Sequence, residues 1–589
     1  MQQFSRAFFH DFWKLAKPYW WTSEERWSAR GLLVAVIALN LLQVYISYRV
    51  TEWYNTFWNA LQQYNAAEAW HQILVFAILV SPYIVATVYQ TYLMQMLQIR
   101  WRRWLTTRYL GEWLAGGTYY HMQVLGDGTD NPDQRIADDL TVFTSQTLNI
   151  AIGVLSSVTT IAAFLAMLWG LSAHLPIPVH GTNVVIPGYL VWMAVIYSLA
   201  GTILTAVVGR PLVKLNFQRE RYQADFRFSM VRLRENSESV ALYGGEAREQ
   251  EHFLSRFASI FANFWQIMKR TRRLNWWVSG YGQAAVIFPV LVSMPAYFAK
   301  LIEIGSIMQI SSAFGQVQGA LSFIVNSYTD LATWHAVVDR LRFFDQSMTR
   351  IAELRETNHK TIREDWRHLH AKDLDVRLPD GRVLLAGLAF DLDRGRRMLI
   401  MGPSGSGKST LVRMLAGTWP FGEGRIGLPR GERALFLPQK PYLPLGSLRD
   451  VLLYPFGNPA ASEDDLRAAL SFAGLPELAK DLGESRLWAQ VLSLGEQQRL
   501  AFARIFLQRP TWVFMDEATS ALDEPAEGHL YLSLIHELPR TAIVSVGHRS
   551  SLIQFHESRL VLLGEGRWKL EEIGAGAAAG DGQGMRVGP

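Results

Sequence analysis

The sequence predicts two folds joined in one chain: a membrane domain of six transmembrane helices, then an α/β domain that carries a P-loop. Three observations support this prediction. The first ~340 residues contain six apolar runs, each near the ~20 residues that a helix needs to cross the hydrocarbon core. After Asp345, short apolar runs of strand type alternate with amphipathic helices. Gly402 then begins a glycine-rich segment with the P-loop spacing.

The composition agrees with a membrane protein. Hydrophobic residues make up 49% of the chain and charged residues only 19%, which is apolar for a soluble enzyme. The 21 Trp and 21 Tyr residues, many near the ends of apolar runs, suit aromatic belts at a bilayer surface. The net charge of +5 does not indicate nucleic acid as a partner, because the Arg clusters mostly flank apolar segments. The absence of cysteine excludes disulfides, Cys-ligated zinc and thiol catalysis.

The charges around the apolar runs predict their orientation. The runs lie at Gly31–Arg49, Trp70–Leu97, Leu148–Ala173, Gly188–Val208, Trp277–Phe298 and Ser306–Thr329. Lys and Arg are abundant before the first run and in the two long connections, whereas residues 51–69 and 174–187 contain neither. By the positive-inside rule, both termini, the long connections and the α/β domain are cytoplasmic, and the three short connections face outward.

Three further features refine this topology. Phe4–Trp21 is aromatic and dotted with Lys, which predicts an interfacial helix lying on the inner leaflet. Arg49 at the outer end of the first span either snorkels to the headgroups or serves as a cavity or gate charge. The long connections, of roughly 50 and 65 residues, are expected to continue the membrane helices into the cytosol, since loops of that length normally have structure of their own.

The P-loop predicts a site for the phosphates of a nucleotide. It comprises Gly402, Pro403, Ser404, Gly405, Ser406, Gly407, Lys408, Ser409 and Thr410. An apolar strand, Met398–Met401, precedes it and a helix from Lys408 to Ala416 follows, which is the context this motif requires. Its amides and the helix N-terminus favour negative charge. We expect Lys408 to bridge the β- and γ-phosphates and Ser409 to ligate Mg²⁺.

Two carboxylates provide the second half of this site. Asp516 and Glu517 end the apolar segment that begins at Trp512. Asp516 is expected to hold Mg²⁺, directly or through water. Glu517 is the candidate general base for the water that attacks the γ-phosphate.

The motifs that follow resemble those of ABC ATPases. Leu492–Arg499 (LSLGEQQR) resembles the signature motif, Gln439 the Q-loop, Ser520–Asp523 the D-loop and His548 the switch histidine. The resemblance implies a head-to-tail dimer of ATPase domains that holds two ATP molecules. Ser493 and Gly495 of one copy would then contact the γ-phosphate bound by the other. Asp523 would also belong to the nucleotide site, His548 would stabilise the transition state, and Gln439 would link Mg²⁺ to the membrane domain.

Three positions depart from the family pattern. The signature has Leu494 where most members have Gly, and Glu496 where many have Gln. Because Ser493 and Gly495 are present, we expect function to persist. The position that supplies an aromatic platform for adenine falls near Leu378, so we expect weaker discrimination between nucleotide bases.

The membrane half resembles the SbmA/BacA-like membrane domain. The resemblance lies in Trp53–Leu61, Asn131–Arg135, Phe226–Glu235 and Ala241–Glu246, with Leu437–Gly446 added by the ATPase half. Together these segments are similar to bacterial BacA-related ABC transporters, including the YddA type and the mycobacterial cobalamin and bleomycin importer. Peroxisomal D-subfamily transporters are more distant relatives. The resemblance implies an exporter-type (type IV) fold, domain-swapped helices, a homodimer and a place in the bacterial inner membrane.

These considerations divide the chain into four parts. Residues 1–345 form the transmembrane domain, 346–368 a linker, 369–572 the nucleotide-binding domain and 573–589 a tail that we expect to be disordered, because it offers little to bury. In the implied fold, coupling helices at the cytosolic tips dock on the ATPase. By position, Tyr119–Arg135 and Tyr222–Arg234 are the candidates.

The cargo is predicted from polar residues in the spans. The sixth run and its end carry Gln309, Ser311, Ser312, Gln316, Gln318, Asn326, Ser327, Tyr328 and Asp330; the first carries Asn40, Gln43, Tyr45 and Tyr48, and the second Gln90 and Gln95. They either form hydrogen bonds between helices or line a hydrated cavity, and their number favours the cavity.

A hydrated cavity suits a hydrophilic solute or peptide, and the BacA resemblance implies its import. Export or flipping of an amphipathic lipid or fatty-acyl substrate is the alternative. A sensor that signals without cargo is a third hypothesis, which no residue supports.

Overall fold

The chain is described here by a computed structural model. The structure describes residues 6–126, 131–173, 177–179, 182–184, 186–364, 368–427, 432–457, 461–573 and 586–587. Two compact units are present. The first comprises Met1–Gly111 and Asp130–Asp345, and the second comprises Glu112–Thr129 and Gln346–Pro589. The boundary after Asp345 coincides with the predicted end of the transmembrane domain.

The helical part of the chain consists mainly of long helices. In chain order its elements are α1 Arg6–Trp21, α2 Arg26–Gln62, α3 Ala66–Leu114, α4 Thr118–Leu125, α5 Pro132–Gln134, α6 Leu140–Ala173, β1 Ile177–Val179, β2 Thr182–Val184, α7 Tyr189–Glu235, α8 Ser237–Tyr243, α9 Glu246–Phe298, α10 Ile304–Asn326 and α11 Tyr328–Ile362. A π-helical turn, Arg135–Asp139, joins α5 to α6.

The lengths and hydropathy of these helices confirm a transmembrane domain. Within the described residues, five helices are long and apolar enough to cross a membrane: Arg26–Gln62, Ala66–Leu125, Pro132–Ser172, Tyr189–Glu235 and Glu246–Phe298. The predicted sixth span coincides with α10, which has 23 residues. α3, α7 and α9 have 49, 47 and 53 residues. At 1.5 Å per residue they extend roughly 70–80 Å, well beyond the hydrocarbon core. The long connections therefore continue the helices, as predicted.

The N-terminal helix α1 has one buried and one exposed side. Phe8 packs between Trp334 and His335 of α11, and Tyr19 stacks on Trp101 of α3 at 5.7 Å between ring centroids. Trp13 and Trp21 are exposed. An apolar exposed face beside a protein-facing one suits the predicted place at the membrane surface.

An ionic cluster joins the π-helical turn to α11 in the first unit. Asp139 is 3% exposed, and its carboxylate accepts two hydrogen bonds from Arg340 of α11, from Nε at 2.8 Å and from Nη2 at 2.6 Å. Arg135 Nη1 donates to the same carboxylate at 2.7 Å. Arg135 ends the Asn131–Arg135 motif, so this motif has a structural use in the first unit. Arg49 is also paired, with Glu52 in the next turn of α2.

The motif Trp53–Leu61 positions the start of α10. Asn59 Oδ1 accepts from the backbone N–H of Gly305 at 2.8 Å, and Asn59 Nδ2 donates to Asn55 Oδ1. Asn55 Nδ2 in turn donates to Gln309 Oε1 at 2.8 Å. A Cβ on Gly305 would lie 2.1 Å from the carbonyl oxygen of Asn55, so only glycine allows this approach. The helix start is thus capped by side chains from α2.

The second unit contains an α/β domain. Its strands are β3 Arg363–Glu364, β4 Leu369–Arg377, β5 Val383–Leu392, β6 Arg397–Met401, β7 Gly422–Gly427, β8 Ala434–Leu437, β9 Gly446–Ser447, β10 Ser485–Arg486, β11 Trp512–Asp516, β12 Ala542–Val546, β13 Ser558–Gly564, β14 Arg567–Glu572 and β15 Arg586–Val587. Its further helices are α12 Lys408–Leu415, α13 Leu448–Leu453, α14 Glu463–Phe472, α15 Trp488–Val491, α16 Leu494–Gln508 and α17 Glu524–Glu537.

Two sheets form the frame of this domain. Within the described residues, one sheet has the strand order β15-β14-β13-β6-β12-β11-β8, and β13, β6, β12, β11 and β8 run parallel. The other has the order β3-β7-β4-β5 and includes antiparallel pairs. β12 is buried along its whole length, as expected for a parallel strand covered on both faces. The carboxyl ends of the parallel strands therefore meet at one edge, where ligands bind in such sheets.

The structure describes the predicted linker and tail in part. Most of the linker, 346–368, is helical, because α11 continues to Ile362 and β3 follows it. Most of the predicted disordered tail lies outside the described residues. Arg586 and Val587 pair antiparallel with Leu570 and Lys569 of β14.

A buried histidine lies under the parallel sheet. His556 is 5% exposed; its Nδ1 donates to the carbonyl oxygen of Leu552 at 2.7 Å, and its Nε2 lies 2.8 Å from Ser545 Oγ. Tyr531 Oη donates to the same hydroxyl at 3.0 Å. This network suits a neutral imidazole. Burial lowers the pKa of His556 to about 4.

We predict that His556 makes the domain less stable at acidic pH. Because the pKa is near 4 when folded and about 6.5 when unfolded, only the unfolded chain gains this proton between those values. Above pH ~6.5, His556 makes its full contribution to the free energy of unfolding. That contribution is lost as the pH falls, by about 2 kcal/mol at pH 5. Melting temperatures measured between pH 7 and pH 5 should fall less in His556→Gln than in wild type. The exposed His536→Gln should follow wild type; parallel curves for all three proteins would contradict the prediction.

Candidate ATP site

The predicted catalytic and phosphate-binding residues converge at the carboxyl edge of the parallel sheet. The P-loop follows β6, and Gln439 follows β8. Asp516 is the last residue of β11, Glu517 comes directly after it, and His548 follows β12. Gly402 and His548 are 146 positions apart in the sequence, and the order of the strands in the sheet brings these segments together. The predicted strand before the P-loop and the helix after it are confirmed as β6 and α12.

Glycines shape the P-loop. Gly405 and Gly407 have φ of +79° and +96°, conformations that L side chains rarely adopt. Gly407 also forms the N-cap of α12, and a Cβ there would lie 3.2 Å from Leu384 Cβ. The α12 N-terminus therefore opens directly onto the loop, where its unpaired N–H groups favour an anion.

Lys408 and Ser406 fit a phosphate group. Lys408 Nζ donates to the carbonyl oxygens of Gly402 and Pro403 at 2.9 and 2.8 Å, so the ammonium group lies at the loop itself. Burial lowers the pKa of Lys408, while Glu517 and Asp516 oppose that shift. Among the described residues, the buried Ser406 Oγ has no hydrogen-bond partner. A phosphate oxygen would satisfy this hydroxyl and the Lys408 ammonium group.

Ser409 and Asp516 supply an oxygen pair for Mg²⁺. Ser409 Oγ donates to Asp516 Oδ1 at 2.9 Å. Burial raises the pKa of Asp516, and the hydrogen bond from Ser409 opposes this. Hydroxyl and carboxylate oxygens are donors that Mg²⁺ prefers, and it is commonly bound by one or two protein groups together with nucleotide phosphates. The two residues therefore fit the predicted metal role.

Glu517 lies between Gln439 and His548. Gln439 Nε2 donates to Glu517 Oε2 at 3.1 Å, and His548 Nε2 lies 3.1 Å from Glu517 Oε1. Glu517 has φ of +51°, and its N–H donates to Val546 O at 3.1 Å. This left-handed turn directly after β11 places its carboxylate between the two side chains. The arrangement can orient a carboxylate that accepts a proton from water.

The signature motif is organised by its unusual glutamate. Ser493 is the N-cap of α16, and its N–H and Oγ donate to Glu496 Oε2 at 2.8 and 2.7 Å. The hydroxyl also accepts from the N–H of Glu496, which completes a capping box. The bonds from Ser493 lower the pKa of Glu496. Glu496 thus stabilises the helix start, and Ser493 would have to redirect its hydroxyl to contact a phosphate.

The other predicted positions lie close to this motif. A Cβ on Gly495 would lie 3.3 Å from the carbonyl oxygen of Ala521 in the D-loop. Asp523 Oδ1 accepts from the N–H of Ala526 and caps α17. Leu378 packs against the hydrophobic core of the domain. The nucleotide contacts of Ser493, Gly495 and Asp523 remain predictions, as does the weaker base discrimination at Leu378.

A residue with no predicted role connects three of the motifs. Gln498 is fully buried, and its Nε2 donates to the carbonyl oxygen of Gln439 at 2.9 Å and to Ser520 Oγ at 3.2 Å. Its Oε1 accepts from the N–H of Ala521 at 2.9 Å. Gln498 therefore links the signature helix to the Q-loop and the D-loop. It is part of the quoted LSLGEQQR segment, but only the tertiary contacts reveal what it does.

We predict that Gln498→Leu lowers kcat for ATP hydrolysis about tenfold with little change in KM. The substitution removes the hydrogen bonds that Gln498 makes to the carbonyl oxygen of Gln439 and with the N–H of Ala521. Each such bond is worth about 1 kcal/mol, and their loss loosens the segment that positions Gln439. The P-loop is untouched, so binding should persist. Steady-state ATPase kinetics test this, with the exposed Gln490→Leu as control. Gln498→Glu keeps an acceptor for Ala521 and should lose less. Equal kcat in all variants would refute the role.

The two predicted coupling segments differ from each other in their place in the structure. α4, within the first segment, belongs to the second unit, and its Val124 packs against the core of the α/β domain. The second segment, Tyr222–Arg234, is an uninterrupted part of α7. The chain reverses after it, at α8, where Leu242 and Tyr243 are exposed. α8 therefore forms the turn between α7 and α9, and its last three residues begin the Ala241–Glu246 motif. The coupling role of both segments stays a prediction.

Comparison with known families covers both halves of the chain. The family described as ABC transporter transmembrane region 2 matches residues 18–298, and the family described as ABC transporter matches residues 385–520. A structure of a bacterial Atm1-family ABC exporter with ATP bound has a TM-score of 0.66 at 19% identity, covering 90% of this chain and 93% of that one. It shows a shared fold.

Relatives in the curated proteins match nearly the whole length. An uncharacterized ABC transporter ATP-binding protein of Haemophilus influenzae is 37% identical over 95% of this chain and 93% of its own. The inner membrane ABC transporter ATP-binding protein YddA of Escherichia coli is 33% identical over 91% and 94%. The human lysosomal cobalamin transporter ABCD4 is 27% identical over 93% and 94%.

Proposed function

The chain belongs to the ABC transporters, which hydrolyse ATP to drive transport, and from this premise we propose that it imports a hydrophilic solute or peptide as a homodimer. Its relatives include YddA and a member of the D subfamily. The narrower SbmA/BacA-like assignment belongs to this proposal, as do a bacterial inner-membrane location and a cytoplasmic ATPase domain. The convergence of Glu517, Gln439 and His548 carries the ATPase part of the proposal.

In the proposed reaction two groups of residues act on the γ-phosphate: those that bind the phosphates and those around Glu517. Lys408 and the P-loop amides would bind the phosphates, and Ser409 and Asp516 would hold Mg²⁺, whose charge would neutralise that of the phosphate oxygens. Glu517 accepts the proton of the attacking water. Gln439 and His548 hold the Glu517 carboxylate in place, and His548 can also donate to the transferred phosphate.

Exposed aromatic residues support a second copy as partner. α7, α8 and α9 form the long basic excursion beyond the spans, and α8 contacts α7. This excursion exposes large apolar side chains, with exposed fractions of 73% for Phe217, 67% for Phe228 and 88% for Tyr243. Several large apolar side chains exposed outside a bilayer are typical of a protein–protein interface. Domain-swapped helices that pack on a second copy would cover it.

Part of the polar set in the spans has structural partners. Gln309 bonds Asn55, Ser312 Oγ lies 3.0 Å from Thr51 Oγ1, and Gln43 bonds Gln90. For these residues the interhelical interpretation is correct. Asn326 and Tyr328 have side chains outside the described set. The cavity hypothesis therefore depends on fewer polar residues than the sequence of these spans contains.

One face of α10 supports a hydrated path. Gln316 is exposed, and the neighbouring Gly315 and Gly319 have open space where a side chain would lie. On the other side of the helix, Phe314 and Val317 are buried against the helix bundle. Because glycines carry no side chain, the backbone carbonyls beside Gln316 are exposed as well. Exposed polar groups favour water over lipid tails. Cobalamin, the cargo in the name of ABCD4, is likewise a large polar compound.

Transport in proteoliposomes tests the proposal. ATP added outside powers only molecules whose ATPase domains face out. We expect a labelled hydrophilic peptide, loaded inside, to leave the lumen when ATP is added, and Glu517→Gln to abolish this efflux. Gln316→Leu should slow efflux while leaving ATP hydrolysis measurable. Accumulation of peptide inside would instead identify an exporter, and amphipathic lipid or acyl cargo would be tested next.

A further inference from the structure

A cluster of two histidines and one aspartate lies on the sheet β3-β7-β4-β5 of the second unit, outside the motifs of the ATP site. His368 directly precedes β4, His370 is its second residue, and Asp391 is the cross-strand partner of His370 on β5. Residues two apart on a strand point to the same face, so both imidazoles reach the same carboxylate. Among the described residues, this is the only group of three or more His, Asp and Glu side chains close enough to share a metal ion.

The geometry points to a binding site for a divalent zinc-type ion at His368, His370 and Asp391, and we propose it as such. His368 Nε2 lies 3.4 Å from Asp391 Oδ1, and His370 Nδ1 contacts the same oxygen. The donor atoms all lie within 4.8 Å of one another. Zinc bonds of about 2.0–2.2 Å place tetrahedral ligands about 3.4 Å apart. Two imidazoles and one carboxylate leave a coordination position open for water.

The arrangement differs from the ordinary histidine–carboxylate pairs of this chain. His536–Glu537 and His335–Asp339 each join one imidazole to one carboxylate, at 3.3 and 3.2 Å. At Asp391 two imidazoles converge on a single oxygen atom, although the carboxylate has a second oxygen to offer. A shared cation accounts for that convergence, since all three groups would then be ligands of one ion. The His370 side chain is only 14% exposed, so one ligand is already held in place by packing.

The position of the cluster indicates what the ion would do. β5 ends at Leu392, and β6 begins at Arg397 and reaches the P-loop at its far end. A five-residue strand is about 16 Å long, so the ion would lie near the start of β6, opposite the nucleotide. There it would join the beginning of β4 to the end of β5, which stabilises the sheet without entering the hydrolysis reaction.

Zinc titration of the full-length protein in detergent tests this site. The protein would be freed of affinity tag, metal and nucleotide, and Zn²⁺ binding measured by calorimetry. We expect one tight site per chain, weakened about tenfold or more in His368→Ala and in His370→Ala. His536→Ala is the matched control, because it removes a histidine from a simple pair, and should bind as wild type does.

Cobalt spectroscopy separates this site from weak binding by other histidines. Co²⁺ in a tetrahedral site of two nitrogens and one carboxylate gives intense visible bands, which His368→Ala should remove and His536→Ala should retain. The melting temperature without metal shows whether each variant folds, and His368 is exposed enough for its loss to be tolerated. Zn²⁺ affinity and cobalt bands in His368→Ala equal to those of wild type would overturn the proposal.

Discussion

Glu517→Gln is expected to lower kcat for ATP hydrolysis by about a hundredfold or more, since a positioned general base contributes roughly 10²–10⁴ in rate. The amide cannot take the proton of the attacking water. It also offers one oxygen where the carboxylate offers two, whereas Gln439 and His548 each contact a separate oxygen of Glu517. ATP binding should persist, because the P-loop, Lys408 and Ser409 are unchanged. The variant should therefore accumulate with ATP bound as a closed dimer.

Phosphate release by purified protein in detergent or nanodiscs measures this effect. Glu524→Gln is the matched control, because Glu524 begins α17 on the exposed surface after the D-loop. It should retain wild-type kcat. Hydrolysis by Glu517→Gln close to wild type would remove Glu517 from the role of base and leave the reaction to another group, such as His548.

Asp139→Ala is expected to destabilise the transmembrane unit by about 3 kcal/mol, the lower end of the range for breaking a buried ion pair by removing one partner. Asp139 lies between Arg135 and Arg340, and its carboxylate receives hydrogen bonds from both. Without it, the buried Arg135 loses the hydrogen bond from its Nη1 to Asp139 Oδ2, and Arg340 loses two hydrogen bonds. Arg340 is partly exposed and can regain water, which limits the cost.

The neighbouring aspartate provides a control for charge alone. Asp138 is exposed, so Asp138→Ala removes the same charge at nearly the same place without breaking the cluster. Thermal unfolding of full-length protein in detergent should show a melting temperature several degrees lower for Asp139→Ala and unchanged for Asp138→Ala. The same loss in both variants would mean that net charge, rather than the buried cluster, decides stability here.

Several structural predictions depended on local pattern and were confirmed by the structure. The strand before the P-loop is β6, the helix after it is α12, and the strand before the two carboxylates is β11. Each is specified by a contiguous apolar run or by glycines at positions that need positive φ, so no distant residue is required to recognise it. The coupling segment Tyr222–Arg234 was predicted from its place in the chain, and the structure places it inside α7, which continues to Glu235. The end of this helix lies at Asn236, just before the short α8, and no proline or glycine marks it in the sequence.

By itself, the sequence determined the order of the two domains, the predicted spans, the P-loop and the identity of the residues that meet at the carboxyl edge of the sheet. Hydrophobic period, glycine spacing and motif order are properties of neighbouring residues, and a reader of the chain can see them directly. The tertiary structure alone decided which polar side chains are satisfied by partners: Gln309 by Asn55, Asp139 by Arg340, and the loops around Gln439 by Gln498. These contacts join residues 59 to 254 positions apart. Helix packing and strand register create them, and no pattern along the chain encodes such pairings.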